Sequence, residues 1–465
     1  MAPAPVEALL ASADATGAHQ NAEQLATYVN EQGGLRLIAS EGILDALLAA
    51  MRSKKSAEER ERGAIGLGAI ITKVAGPNAP VPGGGEPWLL PNLPALLELY
   101  AEKHEGARNA AESAASALAT GVPHESIFAL LPELYRVIQG SGGRWQSKVG
   151  ALKLMGRLAD IAPEQVGDEL AHMTPVLTEA MHETKAEVTK QAVRAATKAC
   201  GVIDNNDLRP FIPDLVGCMA RPDSVPECIK KLSSTTFVAE VTGPALAVMV
   251  PLLSRALNER SQTVQRQSVI IVDNLCKLVR DPHTAATFLP ELYPQVKRIM
   301  EGASFPEVRD HARSAVETLD HAFAEAHKNR VEDEDPSKAR SDALKAASER
   351  LTAAVAPHAP APPAEDEWSR TGIDYLSQLI VRLADKRVVQ PEPWETTYVL
   401  PCLRRICTTA EGATAAMNTV RDEYVRLDIE RFGKPAPRIR GRVRAMQGTF
   451  SGGTAASLGA TMKAA

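Results

Sequence analysis

A chain of 465 residues that is 45% hydrophobic but only 4% aromatic has the composition of an alanine- and leucine-rich helical stack. It contains no uninterrupted apolar run of about 18 residues, so no membrane span is expected. The net charge of −5 hides an uneven distribution: from Arg421 onward nine Lys/Arg face four Asp/Glu, leaving the preceding residues acidic.

The N-terminus, MAPAPVEALLASADATG, lacks a basic n-region and carries Glu7 and Asp14, which argues against a targeting peptide. Residues 1–90 read as irregular helical repeats or a cap. Within them SKKSAEERERGAIGLGAIITKV (53–74) has a charged face followed by apolar positions, as the second helix of a repeat would. GPNAPVPGGGEPW (76–88) reads as a proline–glycine loop.

A ladder follows. Pro94, Pro132, Pro175, Pro213, Pro251 and Pro290 recur at intervals of 38, 43, 38, 38 and 39 residues, in the phrases NLPALL, LLPELY, MTPVL, FIPDLV, MVPLL and FLPELY. A second series, starting at Trp145, Val188, Val225, Val264 and Val308, opens apolar stripes of helical period, such as Val188, Ala192, Ala195, Ala196 and Ala199. A self-similar period near 40 marks stacked helical hairpins. HEAT-type repeats fit best, with armadillo units as the near alternative. Proline belongs at helix starts or modest kinks, since in mid-helix it costs about 3 kcal/mol.

The regular solenoid is expected over 91–328. The phrase VEDEDPSK (331–338) reads as an acidic hinge. Beyond it, four amphipathic segments at 337–355, 368–386, 394–409 and 412–432 suggest a small separate helical bundle within 329–432, interrupted by an extended, mobile Pro/Ala linker at 356–367. Residues 433–465 read as a disordered basic tail, densest at Lys434, Arg438, Arg440, Arg442 and Arg444. That arm suits RNA phosphates, or serves only solubility.

Catalytic motifs are missing. The single Gly-Lys pair, Gly433-Lys434, is followed by Pro435 where a phosphate-binding loop needs a hydroxyl. FSGGT (450–454) lacks every accompanying nucleotide-site motif, and the glycines at 83–85 open no strand–helix unit. His172/His182 and His311/His321 are spaced wrongly for a shared metal. Cys200, Cys218, Cys228 and Cys276 read as buried small apolar residues, and Cys402/Cys407 lack matching ligands. No enzyme activity, cofactor or metal is expected, and the cysteine usage points to a reducing, cytoplasmic compartment.

Surface charge is the remaining signal. Arg144, Trp145, Lys148 and Lys153 lie in one unit, and Lys185, Lys190, Arg194 and Lys198 in the next. Spacings of three to five residues put several of these charges along a helix face, which suits an RNA backbone or an acidic protein. A solvated helix face is the plain alternative, because Glu179, Glu183 and Glu187 lie close by. Trp145, opening an apolar stripe, is equally a core residue.

The phrases GRWQSKVGALKLMGRLAD (143–160), RPFIPDLVGCMARPDSVPE (209–227), TTFVAEVT (235–242), MVPLLSRALNER (249–260) and VDNLCKLVRDP (272–282) resemble the N-terminal HEAT region of the fungal-type elongation factor 3 family. Residues 337–432 look like that family's small four-helix domain. The resemblance implies docking on the small ribosomal subunit, with its rRNA and proteins as partners. The family's two ATP-binding cassettes have no matching positions here, so ATPase activity is not implied. The large HEAT-repeat translational activator of the starvation-response kinase resembles the same region and implies an adaptor with a kinase or translation factor as partner. A generic protein scaffold is the third reading. A monomer without membrane association is expected.

Overall fold

The structure, a computed structural model, describes residues 3–328, 336–385 and 394–432. Every regular element among them is helical. The chain divides into two compact units, one of residues 1–133 together with 335–465 and the other of residues 134–334.

In chain order the first unit begins with α1 (Ala4–Leu10), α2 (Ala15–Gln32), α3 (Leu37–Ser40), α4 (Ile43–Met51), α5 (Ala57–Ala69), α6 (Glu86–Leu89), α7 (Leu93–Glu98) and α8 (Glu105–Gly121). The helix α9 (Ile127–Gln139) carries the boundary between the units. The second unit continues with α10 (Trp145–Ile161), α11 (Pro163–Met181), α12 (Ala186–Cys200), α13 (Ile212–Ala220), α14 (Val225–Ser233), α15 (Gly243–Leu257), α16 (Gln262–Leu278), α17 (Pro282–Phe288), α18 (Tyr293–Gly302) and α19 (Pro306–Lys328). The described chain closes in the first unit with α20 (Pro336–Val355), α21 (Glu367–Asp385), α22 (Leu400–Ile406) and α23 (Ala410–Phe432).

Local chemistry sets these starts. Asp14 caps α2, its carboxylate accepting from Gly17 N at 2.7 Å. Ser56 caps α5 by accepting from Glu59 N at 3.1 Å, the S-x-x-E spacing of a capping box. The proline ladder splits into two uses. Pro94 and Pro213 are second residues of α7 and α13, and Pro290 lies in the 3-10 turn Leu289–Glu291 ahead of α18. Pro132, Pro175 and Pro251 lie inside α9, α11 and α15. There the missing N–H leaves one carbonyl four residues back without its helical partner.

In the second unit, first and second helices pair as hairpins: α11 with α12, α13 with α14, α15 with α16, α18 with α19. Second helices also run side by side, α10 along α12, α14 along α16 and α16 along α19. The buried rows are the expected ones. On α12 they are Val188, Ala192, Ala195, Ala196 and Ala199; on α19 Val308, Ala312, Ala315, Val316 and Leu319. Alanine at these positions lets backbones approach closely. This is the repeating apolar seam of a HEAT-type stack.

The first unit is closed by contacts between residues far apart in sequence. Arg405, on α22, is buried and donates to the carbonyls of Val74 at 2.8 Å, Gly83 at 3.3 Å and Val81. Trp88 and Trp368 stack with ring centroids 4.1 Å apart. Trp88 Nε1 donates to Trp368 O at 3.2 Å, and Trp368 Nε1 to Arg405 O at 2.9 Å. Tyr375 donates to Ser126 Oγ at 2.6 Å, and Arg36 pairs with Asp366 at 2.6 Å. Glu423, buried on α23, is held by Arg350 at 2.7 Å and Arg426 at 2.6 Å.

The glycine loop belongs to this closure. Gly84 has φ +71°, and a Cβ there would lie 2.3 Å from the carbonyl carbon of Pro401. Only glycine lets the loop lie against the start of α22.

The segment 356–367, expected to be extended, is turned instead. Pro362 O accepts from Glu365 N and Asp366 N, and His358 O accepts from Thr408 N at 2.8 Å. Asp366, at its end, caps α21 through Ser369 N and pairs with Arg36. The expected acidic hinge lies outside the described residues up to 335, and Pro336 to Lys338 open α20.

Candidate nucleic-acid interface

Helix α10 begins at Trp145, with Arg144 at its N-cap in extended backbone. Trp145 is 37% exposed, so it stands outside the apolar core that its stripe enters one turn later. Lys148 does not offer a free charge. It is bonded to Glu183, and its side chain is only 12% exposed. Lys153 lies on the outer face of α10.

Lys185 is the N-cap of α12, and Lys190, Arg194 and Lys198 form an exposed i, i+4 stripe opposite the buried alanines. Lys198 reaches back to Asp160 on α10 at 2.5 Å, with both side chains about half exposed. The expected helix-face cluster is thus thinned: Lys148 is used inside the stack, and Lys198 joins two neighbouring second helices. Lys434, Arg438, Arg440, Arg442 and Arg444 lie outside the described residues.

A second arrangement emerges at the turns joining first to second helices, 140–144, 182–185, 221–224 and 258–261. Each carries an exposed cation: Arg144, Lys185, Arg221 and Arg260. Bonds between repeats run along this edge. Lys148 to Glu183 links the first turn region to the second, and His182 Nε2 lies 3.2 Å from Met219 O, beside the third. In the fourth, Arg298 of the next repeat donates to Asn258 Oδ1 at 2.6 Å.

Packed helices lie 8–10 Å apart, so the edge presents about one cation per 10 Å of stack. Of the nearby acids, Glu183 is already engaged by Lys148, while Asp223 is exposed beside Arg221 and Glu259 is half-buried beside Arg260. The exposed indole of Trp145 stands at the same edge as Arg144, and Phe305, 59% exposed, occupies the corresponding turn before α19. Cations interspersed with exposed rings suit a phosphate backbone with accessible bases.

Arg221 and Arg260 were not legible from clustering along one helix. Their signal is the ladder itself: Arg144, Lys185, Arg221 and Arg260 recur at 41, 36 and 39 residues.

A surface cavity of about 560 Å³ between α16 and α19 is lined by Lys277, Arg280, Ser314, Thr318 and His321. Its lining acid is Glu317, while Asp273 of α16 accepts from two lining residues, Lys277 at 2.7 Å and Thr318 at 2.5 Å. Among the described residues no three His, Cys, Asp or Glu side chains converge as metal ligands, and no helix is long and apolar enough to cross a membrane.

Residues 18–196 match the EF3 N-terminal HEAT repeat, and residues 223–330 match the Elongation factor 3/GNC1 HEAT repeat. The chain belongs to the elongation factor 3 HEAT-repeat family. Both matched families are repeat families, neither of them a catalytic domain. The mRNA export factor elf1 of Schizosaccharomyces pombe is 38% identical over 80% of this chain and 34% of its own length. Elongation factor 3 of Phytophthora infestans is 44% identical over 50% of this chain and 22% of its own. The chain thus spans about a third or less of the length of these relatives. Among solved structures, a designed armadillo repeat protein aligns over 69% of this chain and 100% of its own at 17% identity, with a TM-score of 0.22.

Proposed function

We propose that this protein is a non-enzymatic docking module that binds ribosomes in translation elongation, meeting small-subunit rRNA and proteins through the turn edge of its second unit. The observation that carries the reading is the row Arg144, Lys185, Arg221 and Arg260, one exposed cation in each of four consecutive repeat turns, with Trp145 beside the first. Membership of the elongation factor 3 HEAT-repeat family supports it. Lys153, Lys190 and Arg194 extend the positive surface from the edge onto α10 and α12. A cytoplasmic monomer needing no cofactor fits this role.

Phosphate contacts release condensed counterions, so affinity must fall steeply with salt. Co-sedimentation with purified small subunits and whole ribosomes across a salt series tests this. Pelleting that declines log-linearly with salt is expected; no pelleting at low salt would remove the ribosome reading.

The relative named as an mRNA export factor favours a second reading, in which the same edge binds messenger RNA. Retention on polyadenylated RNA, equal to or stronger than on ribosomes at matched salt, would favour it.

A further inference from the structure

Trp145 is the only exposed tryptophan among the described residues. The other three sit against aromatic rings inside the first unit. Trp88 stacks on Trp368 with centroids 4.1 Å apart, and Trp394 lies against Tyr424 at 4.8 Å. Burying an indole is strongly favourable, so a tryptophan left 37% exposed forgoes part of that gain.

The turn ahead of Trp145 leaves the ring room. Residues 141–144 are Ser, Gly, Gly and Arg, and all four are exposed. The backbone on either side of the glycines is held. Gly143 N donates to Gly140 O at 3.3 Å, while Arg144 O accepts from Ser147 N at 3.0 Å and Lys148 N at 3.3 Å. A Cβ added at Gly142 would meet nothing within 4 Å. The indole thus opens α10 directly after the cation of Arg144, behind a stretch that carries almost no side chain.

Resting on the ribosome-docking reading above, we propose that Trp145 is a stacking platform for an unpaired base. The turn edge then takes a single-stranded segment of ribosomal RNA rather than a duplex. The cations alone do not choose, since phosphates line both forms. The ring does. In an A-form duplex the major groove is too deep and narrow for side chains, and recognition falls to phosphates and 2′-hydroxyls. A single strand splays its bases, and each offers a face to an aromatic ring beside a cationic track. Trp145 holds the base; Arg144 on the same turn and Lys185 on the next meet the flanking phosphates.

The two kinds of contact separate by salt. Losing a phosphate contact lowers the salt slope of binding, whereas losing a stack lowers affinity and leaves the slope as it was.

The test measures fluorescence anisotropy of a labelled single-stranded RNA of about twelve nucleotides, and of the same strand annealed to its complement. The full chain, Trp145→Leu and Trp145→Phe are compared across a salt series, with thermal unfolding of each variant as the check on folding. The single strand should bind tighter than the duplex. Trp145→Leu should weaken the single strand about 5- to 100-fold with the slope unchanged and the duplex unaffected, and Trp145→Phe should recover most of the loss. Purified small subunits should displace the bound strand. Equal affinity for the two RNAs, or undiminished single-strand binding by Trp145→Leu, would overturn the stacking role and leave the docking reading standing. Binding of neither RNA at low salt would remove the cationic edge as an RNA surface, and this proposal with it. Displacement by polyadenylated RNA but not by small subunits would overturn the ribosomal source.

Discussion

Each unit is held together internally by a different kind of contact. In the first, the decisive bonds join residues 249 to 331 positions apart: Tyr375 to Ser126, Trp88 to Trp368, Arg405 to Val74. Most are buried, and each depends on the others: the indole of Trp368 donates to the backbone of Arg405, whose guanidinium holds the loop beside Trp88. In the second, the polar ties between repeats span 31 to 45 residues, as in Val238–Asp207, Lys148–Glu183 and Thr318–Asp273. Its core is a seam of recurring apolar stripes, alanine-rich on α12 and built from valine, isoleucine, leucine and cysteine on α14 and α16. A closed unit fails as a whole when one tie is cut, while a stack of nearest neighbours yields locally.

Cutting the first unit at its centre should produce the largest effect. Arg405→Met leaves three carbonyls without their donor. It also removes the cation that offsets Glu86, whose carboxyl burial already pushes above the usual range. A loss of about 3–5 kcal/mol is expected, as for breaking a buried ionic contact by removing one partner. Hydrogen exchange should show amide protection falling together in α6, α21 and α22. A loss confined to α22 would refute the idea of one closed unit.

The corresponding insult to the stack is smaller. Ala196→Leu inserts three carbons into a fully buried position on α12 and should cost about 1–3 kcal/mol by overpacking. Exchange should rise in α10 to α13 and remain unchanged in α18 and α19. Equal loss of protection across all of these would show the stack to be as cooperative as the first unit.

Smallest of all is Lys198→Ala. Its bond to Asp160 is exposed at both ends, and such pairs contribute under about 1 kcal/mol. A melting shift comparable to that of Ala196→Leu would mean the inter-repeat ion pairs carry more of the stack than its apolar seam does.

The same contrast explains what could be read from the residues. The second unit is periodic, so proline phrases and apolar stripes mark its helices, and Val188 to Ala199 and Val308 to Leu319 are buried as their spacing requires. The amphipathic segments expected at 337–355, 368–386, 394–409 and 412–432 fall on α20, α21, α22 and α23, with bounds that differ by one or two residues except at 394–409, where α22 covers only Leu400–Ile406. Periodicity carried no information on where those helices pack. Arg405, Trp368 and Tyr375 are single residues whose partners lie hundreds of positions away, and no local pattern distinguishes them from a solvated arginine or an ordinary core aromatic. Pro/Ala composition suggested extension at 356–367, but the hydrogen bonds of His358, Pro362 and Asp366 override it.

At the proposed docking surface, clustering along a helix selected Lys148, whose charge is taken up by Glu183. It passed over Arg221 and Arg260, which become neighbours of Lys185 and Arg144 only when the turns of successive hairpins are lined up.

The most direct measurement compares two variants in ribosome co-sedimentation at fixed salt. One reverses the turn cations, Arg144, Lys185, Arg221 and Arg260 each to Glu. The other reverses Lys153, Lys190 and Arg194 on the helix faces. The turn variant should lose pelleting and most of its salt dependence, while the helix-face variant should be weakened less. Undiminished binding by a folded turn variant would contradict the turn edge as the docking surface.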